Sequence, residues 1–430
     1  MDEEQYDVII VGGGIAGATA ALLLATEGLQ VIVIERGNYS GAKNMTGGRL
    51  YSHSLENIIP DFASKAPVER KVTHERISMM TDVAVTTMDY ASESLAEPGC
   101  DSYTVLRGVF DRWLMDQAEE AGAMPVPGIC VDDFVYRDEK VAGIIAGGEE
   151  MLAKVVILAD GANSLLIEKC GLRKKIVTPH QIAVGAKEII QLDEKTIEDR
   201  FNLNPDEGMA WLFAGFPSDG KIGGGLIYTN KDTISLGVVA TLSEFEKEGK
   251  SIHEMMEGFK NHPAMLPILK GGKLVEYSGH MVPEGGYDMV PTLYDNGVLV
   301  TGDAAGLVIN VGYSVRGMDL AIGSAKAAAE AVIEAHKKDD FSAKSLSKYK
   351  ELLDSSFVIK ELKHFRKFPN FMDNPRVFND YPQMMDEIMA SLFVINGSNP
   401  KSIISKMIKP VRKVGIINLM KDGVKGVRAL

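Results

Sequence analysis

Two short apolar runs open the chain, Asp7-Val8-Ile9-Ile10-Val11 and Val31-Ile32-Val33-Ile34-Glu35. Both have the pattern of strands buried on two faces, as in a parallel sheet. Residues 15–27 between them are rich in Ala and Leu and predict a helix, with Gly28 placed to end it. Phe110, Leu114 and Ala118 recur at every fourth position, which predicts a helix over 110–121 with that face in the core. Val155-Val156-Ile157-Leu158-Ala159 and Val298-Leu299-Val300-Thr301 are further buried-type strands, and an Ala-rich helix runs on to about Ala335. Between about 181 and 290 the pattern changes to strand-like segments at 182–190, 210–216, 222–228 and 233–241, set among short helices. Strands alternating with helices at both ends and a strand-rich middle predict an α/β protein in which the middle caps a doubly wound domain.

Length and charge narrow the classes. A chain of 430 residues is long enough for two or three domains. Its net charge of −13 argues against nucleic-acid binding, which needs a basic surface. No apolar run reaches the ~20 residues of a spanning helix. The opening Met1-Asp2-Glu3-Glu4 has no basic stretch, so a cleaved signal is not expected and a cytoplasmic location is. Cys100, Cys130 and Cys170 stand far apart and are too few for a four-thiolate cluster, so they are expected to be buried, reduced small hydrophobes. The eight histidines form none of the usual zinc spacings, and no metal is expected on this chain.

The chemistry begins at Gly12-Gly13-Gly14-Ile15-Ala16-Gly17. In G-x-G-x-x-G, Gly12 makes the tight turn, Gly14 admits backbone close to a pyrophosphate, and Gly17 lets helix and strand pack. The helix that starts at Ile15 and Ala16 offers unpaired N–H groups to phosphates. Glu35 ends the second strand 18 positions beyond Gly17, where it can accept hydrogen bonds from ribose hydroxyls. It would repel a 2′-phosphate, so NAD or FAD is favoured over NADP. A second segment, Gly302-Asp303-Ala304-Ala305-Gly306, follows a strand, and its Asp is placed to bind a ribityl hydroxyl. Gly312-Tyr313-Ser314-Val315-Arg316-Gly317 then enters the Ala-rich helix, whose first N–H groups suit the negative edge of a reduced flavin. Arg107 stands at a helix entrance, either to meet a phosphate or as a solvated surface cation; Asp160-Gly161 is either a nucleotide contact or a plain turn.

Taken together these residues resemble the glutathione-reductase-type FAD superfamily, in its p-hydroxybenzoate-hydroxylase-like branch, with Asp160-Gly161 similar to its D-G motif and Gly302-Asp303 to its ribityl-binding motif. Glu35-Arg36-Gly37, Gly41 to Arg49 and Arg107 with Phe110 to Leu114 carry the resemblance further, to the FixC type of the electron-transfer-flavoprotein:quinone oxidoreductase family, over essentially the whole chain. The resemblance implies non-covalent FAD held by Gly12, Gly14, Ile15, Ala16, Gly17, Glu35, Arg36, Lys43, Asn44, Thr46, Gly47, Gly48, Arg107, Asp160, Gly161, Gly302, Asp303 and Gly312. It implies electrons taken from a two-subunit electron transfer flavoprotein (FixA/FixB-like) and passed to a membrane quinone, in a bifurcating complex with a ferredoxin-like subunit (FixX-like). The iron–sulfur cluster would sit on that partner, since residues after about 360 contain no cysteine. Four segments follow: 1–180 and 291–360 form the FAD-binding domain, 181–290 the quinone or capping domain, and 361–430 an extension. Rivals sharing the fold are an isoprenoid-lipid (geranylgeranyl) reductase and an NAD(P)H-dependent aromatic hydroxylase; an electron relay active only within a complex is a reading of another class.

Gly223-Gly224-Gly225-Leu226-Ile227-Tyr228 places glycines inside a strand, which permits close approach by a ligand or by another backbone. By the resemblance Gly223 and Gly224 meet the quinone headgroup. Tyr228 joins them in the expected quinone site, and protons for the quinone are expected through water or through a tyrosine such as Tyr228. In the extension, Phe365, Phe368, Phe371, Phe378 and Tyr381 lie among cations, which suits a membrane interface or a domain contact. Residues 401–430 hold eight Lys/Arg against one Asp, a net +7, so the other 400 residues carry −20. This basic, amphipathic tail fits anionic lipid at the inner face of the cell membrane, or a cluster-bearing subunit, with Pro410 expected to interrupt its helix.

Overall fold

The computed structural model describes residues 5–44, 46–246, 249–397 and 402–429. One sheet holds the nucleotide end. Strands Val298–Val300, Glu149–Leu158, Gln5–Val11, Val31–Glu35 and Met124–Pro127 lie side by side in that order, all parallel. Val8, Ile9 and Ile10 are fully buried, as are Val31 and Val33 and Val155 to Leu158. Helix Ile15–Thr26 packs between helices Met318–Lys338 and Arg107–Glu120, and its Ala18, Ala20 and Ala21 present no side-chain bulk to them. The antiparallel strands Val131–Arg137 and Lys140–Ala146 extend this sheet through the start of Glu149–Leu158.

The second sheet runs Lys273–Pro283, Ile182–Gln191, Thr233–Thr241, Gly223–Thr229, Glu207–Gly215, Val68–Met80, Ser102–Val105 and Gly48–Tyr51, with Val85–Ala91 paired beside Val68–Met80. Only one of its joints is parallel, between Glu207–Gly215 and Val68–Met80. Its strands therefore come from both sides of residue 180, and the segment 181–290 supplies only part of the cap. A separate core behind this sheet is built on Phe201, Trp211, Phe213, Phe259 and Met256. Arg70 is fully buried in the cap sheet and satisfied there: its guanidinium donates to the carbonyls of Asn230 (2.7 Å), Lys231 (3.0 Å) and Glu207 (3.2 Å).

The extension is helical. Phe368 and Phe378 are buried, so these aromatics make a domain contact. Asp380–Phe393, Ile403–Val414 and Ile416–Ala429 follow. Pro410 does not interrupt its helix, contrary to expectation. The Pro410 ring is buried while most of the helix is exposed, so packing of the ring offsets the one missing backbone bond, and the break comes at Gly415 instead. Asp422, almost fully buried, accepts both prongs of Arg376, Nε at 2.7 Å and Nη2 at 2.8 Å, and the hydroxyl of Tyr381 at 2.5 Å. The cysteines also depart from expectation. Cys100 and Cys130 are exposed and Cys170 half-buried, because the first two fall in loops between strands rather than on a core-facing position.

Candidate functional site

The glycine loop is locked by backbone contacts. Gly12 has φ +102°, and a Cβ there would stand 2.4 Å from the Ala159 carbonyl oxygen. A Cβ on Gly17 would stand 1.9 Å from the Gly12 oxygen. No side chain caps helix Ile15–Thr26, so its first N–H groups remain free where Gly14, Ile15 and Ala16 line a cavity. Glu35 accepts from the Gly13 N–H at 2.8 Å and from the Gly37 N–H, so its carboxylate is fixed at the loop. Asp160 stands across the loop from it. Its Oδ1 is buried with no partner, and burial pushes the carboxyl up to about 6 against the pull of Ser164, Arg173 and Arg36.

The second motif meets the first directly. A Cβ on Gly302 would stand 2.9 Å from the Ala16 Cβ. Ser324 holds this turn from helix Met318–Lys338: its hydroxyl accepts from the Gly302 N–H at 3.1 Å and from Thr301 Oγ1 at 2.7 Å. Asp303 thereby projects into the cavity. Burial raises its carboxyl, and the charges of Arg107 and His280 oppose that rise. Gly317, Met318 and Ala321 bring the uncapped start of the same helix to the cavity wall. Arg107 folds back onto Asp111, and Asn44 donates to the same carboxylate.

The cavity, about 600 Å³, continues from these residues to the cap sheet, where Gly223, Gly224 and Tyr228 line it. A Cβ on Gly223 would stand 2.1 Å from the Val239 oxygen and one on Gly224 2.3 Å from the Phe213 oxygen. The glycines are thus demanded by the neighbouring strands, while their open backbone faces the cavity. Burial pushes the Tyr228 hydroxyl well above its ordinary value. Lys187 lies with its Nζ 5.6 Å from the Tyr228 ring centroid and donates to the Gly47 carbonyl. Burial, helped by the charge of Arg107, lowers its ammonium to about 8.

The sequence-derived residues divide by position. Gly14, Ile15, Ala16, Asn44, Gly47, Gly48, Arg107, Gly161, Gly223, Gly224, Tyr228, Asp303 and Gly312 share this one cavity. Gly12, Gly17, Glu35, Asp160 and Gly302 stand behind its wall. Thr46 is buried and donates to Glu276 instead. Arg36 and Lys43 are exposed and outside the lining; Met45 of the same motif lies outside the described residues. Lys187, Arg49, His280 and Glu284 also line the cavity and were not singled out from sequence. For Lys187 a signal existed: Lys187-Glu188 is a charged pair inside an otherwise apolar strand. Arg49 and His280 lie on strands, and Glu284 just after one, whose meeting point only the topology reveals.

Comparison with known proteins decides the lineage. The chain is 53% identical to Protein FixC of Salmonella typhi over 430 residues, covering all of both chains. The chain belongs to the electron transfer flavoprotein–quinone oxidoreductase/FixC family. It is equally similar, at 53% over 431 residues and all of both chains, to a probable electron transfer flavoprotein-quinone oxidoreductase, YdiS, of Escherichia coli strain K12. Family models match at residues 7–111 (FAD dependent oxidoreductase), 182–282 (ETF-QO, ubiquinone-binding) and 368–430 (ETF-QO/FixC family C-terminal domain). Among solved structures, a geranylgeranyl bacteriochlorophyll reductase-like protein from Thermoplasma acidophilum shares the fold, with TM-score 0.72 at 22% identity over 98% of this chain and 100% of that one. The ETF-QO/FixC chain described here is a flavin-dependent oxidoreductase. Its residues fit FAD: free helix N–H groups, a fixed Glu35, an unpartnered Asp160 oxygen and Asp303 all converge on or beside a cavity large enough to run from cradle to cap. When bound, FAD supplies the redox chemistry, and the chain supplies position and electrostatics.

Proposed function

We propose that this chain passes electrons from a reduced two-subunit electron transfer flavoprotein (FixA/FixB-like), through non-covalent FAD, to a membrane quinone. The observation that carries this reading is the single cavity lined at one end by Gly14, Ile15, Ala16 and Asp303 and at the other by Gly223, Gly224 and Tyr228. A flavin in the cradle and a quinone headgroup on the cap glycines would be neighbours in one cavity. The FAD contacts are assigned to the residues named from sequence, with Arg36 and Lys43 reaching the nucleotide from the surface. The chain acts as the quinone-reducing arm of a bifurcating complex, and a ferredoxin-like subunit (FixX-like) carries the cluster for which three scattered cysteines do not suffice.

A peripheral seat on the inner face of the membrane is part of the proposal. No helix among the described residues is long and apolar enough to cross a membrane. Ile403, Ile404, Ile416, Ile417, Met420 and Val427 are all exposed on the two basic C-terminal helices. Apolar side chains beside cations suit the boundary of an anionic leaflet. Gly426 of the last helix also lines the cavity, so this surface and the cavity share a wall.

The test is anaerobic photoreduction of the FAD-loaded protein followed by rapid mixing with a short-chain ubiquinone. Fast return of the oxidised flavin spectrum is expected. Flavin that stays reduced while properly bound would overturn quinone reduction by this chain.

A further inference from the structure

A second cavity, about 230 Å³, adjoins the first. Its rim includes His180, Asp288, Arg366 and Asn370, all exposed, so it opens to solvent. Gly223, Glu284, Asn310, Met372 and Phe378 belong to both linings and form the partition between them. Glu284 is the ionisable residue in that partition. Its backbone N–H donates to the Gln181 carbonyl at 2.7 Å, and its Oε2 accepts from Thr241 Oγ1 at 2.9 Å. The Thr241 N–H in turn donates at 2.9 Å to the carbonyl of Ile222, which precedes Gly223. The carboxyl thus stands beside the cap glycines and between solvent and the main cavity.

On the proposed quinone reading, we infer that Glu284 is the proton donor to the quinone, refilled from solvent through the smaller cavity. Reduction of a quinone to a quinol takes two electrons and two protons. When bound and reduced, FAD would supply both electrons and one of these protons. The Glu284 carboxyl gives the second proton to a quinone oxygen, directly or through one water, and the carboxylate left behind takes a proton from water in the smaller cavity. The surroundings suit this cycle. Burial raises the carboxyl to about 7, hydrogen bonds from Thr241 and Asn310 oppose the rise, and the charge of Asp373 adds to it. An acid poised near the working pH can both give and regain a proton. His180 and Asp288 with Arg366 face it across the smaller cavity, His180 held by Ser243 at 3.0 Å and Arg366 by Asp288 at 2.8 Å. Glu244 lies near Asp373.

The test compares FAD-loaded wild type, Glu284→Gln and Asp373→Asn. Photoreduced protein is reoxidised either by a short-chain ubiquinone or by ferrocenium, which takes electrons without protons. In the wild type the quinone rate should fall as pH rises through about 7. In Glu284→Gln the ratio of quinone to ferrocenium rates should drop about a hundredfold and that pH break should vanish. Asp373→Asn removes a neighbouring negative charge and should move the break to lower pH. Infrared difference spectra of the protein, recorded without turnover, should show a protonated carboxyl band that titrates with the same midpoint and is missing in Glu284→Gln. An unchanged rate ratio in Glu284→Gln, or a break that stays in place in Asp373→Asn, overturns the assignment. Wild type that ferrocenium oxidises and ubiquinone does not, at any pH, overturns the quinone reading itself, and with it the donor role.

Discussion

Arg107 and Asp111 form a two-pronged ion pair one helical turn apart, Nε to Oδ1 at 2.7 Å and Nη2 to Oδ2 at 2.8 Å, at the entrance of helix Arg107–Glu120. Asp111 is fully buried and also holds Asn44, so one carboxylate ties the helix to the loop beside the glycine fingerprint. Arg107→Ala would leave that carboxylate buried with the neutral Asn44 amide and without its counter-charge. A loss of about 3 kcal/mol is expected in urea unfolding, as for other buried pairs broken on one side. Arg107→Lys keeps the charge without the fork and should fall between Arg107→Ala and wild type. An unfolding midpoint unchanged in Arg107→Ala would show the pair to be idle.

Gly17→Ala should purify without its flavin. The added methyl would stand 1.9 Å from the Gly12 oxygen, and neither helix nor strand can retreat without opening the phosphate cradle. The ratio of flavin to protein absorbance reads this. A normal ratio would mean that the cradle is looser than its contacts indicate.

Lys187 makes stability depend on alkaline pH. Its folded value, about 8, lies below the ordinary lysine value, so between the two the unfolded chain binds more protons than the folded one. Stability from this group therefore rises as pH rises from about 8 towards that ordinary value. Lys187→Met should abolish that rise. Urea midpoints of the flavin-free protein across this window, wild type against variant, check it; parallel pH curves would contradict it.

Asp422 fastens the last helix. Arg376 and Tyr381 hold its carboxyl well below the usual carboxylate range. The contribution is thus complete above the ordinary Asp value and is lost only as pH falls through the depressed one. Asp422→Asn should loosen the two C-terminal helices at neutral pH. Limited proteolysis should then cut within helices Ile403–Val414 and Ile416–Ala429 several-fold faster than in wild type, and equal rates would dismiss the clamp.

What could be read from sequence was what is contiguous. The glycine loop, its helix and Glu35 lie within one βαβ unit, so spacing alone placed them around a common turn. The Gly302-Asp303 turn was legible because a strand-to-helix junction repeats the same local logic. Lys187, His280 and Glu284 escaped notice, and Arg49 entered only as the last residue of a motif, because three strands far apart in the chain must join one sheet before these side chains face one cavity. Cys100 and Cys130 were misjudged from the general burial of thiols, whereas their loop positions decide exposure. Pro410 was weighed as a breaker, yet its ring is buried against the body and the helix runs on to Val414.

The parallel joint between Val68–Met80 and Glu207–Gly215 has a consequence for how the molecule is made. A chain emerging from the ribosome carries a 13-residue strand whose inner ladder stays open until more than a hundred further residues have been synthesised. Such distant pairing is slow to form and leaves an exposed edge meanwhile, which favours early chaperone capture over independent folding of the first half. Once closed, the same joint knits strands from before and after residue 180 into one continuous cap sheet, so neither half of the chain can complete the cap alone.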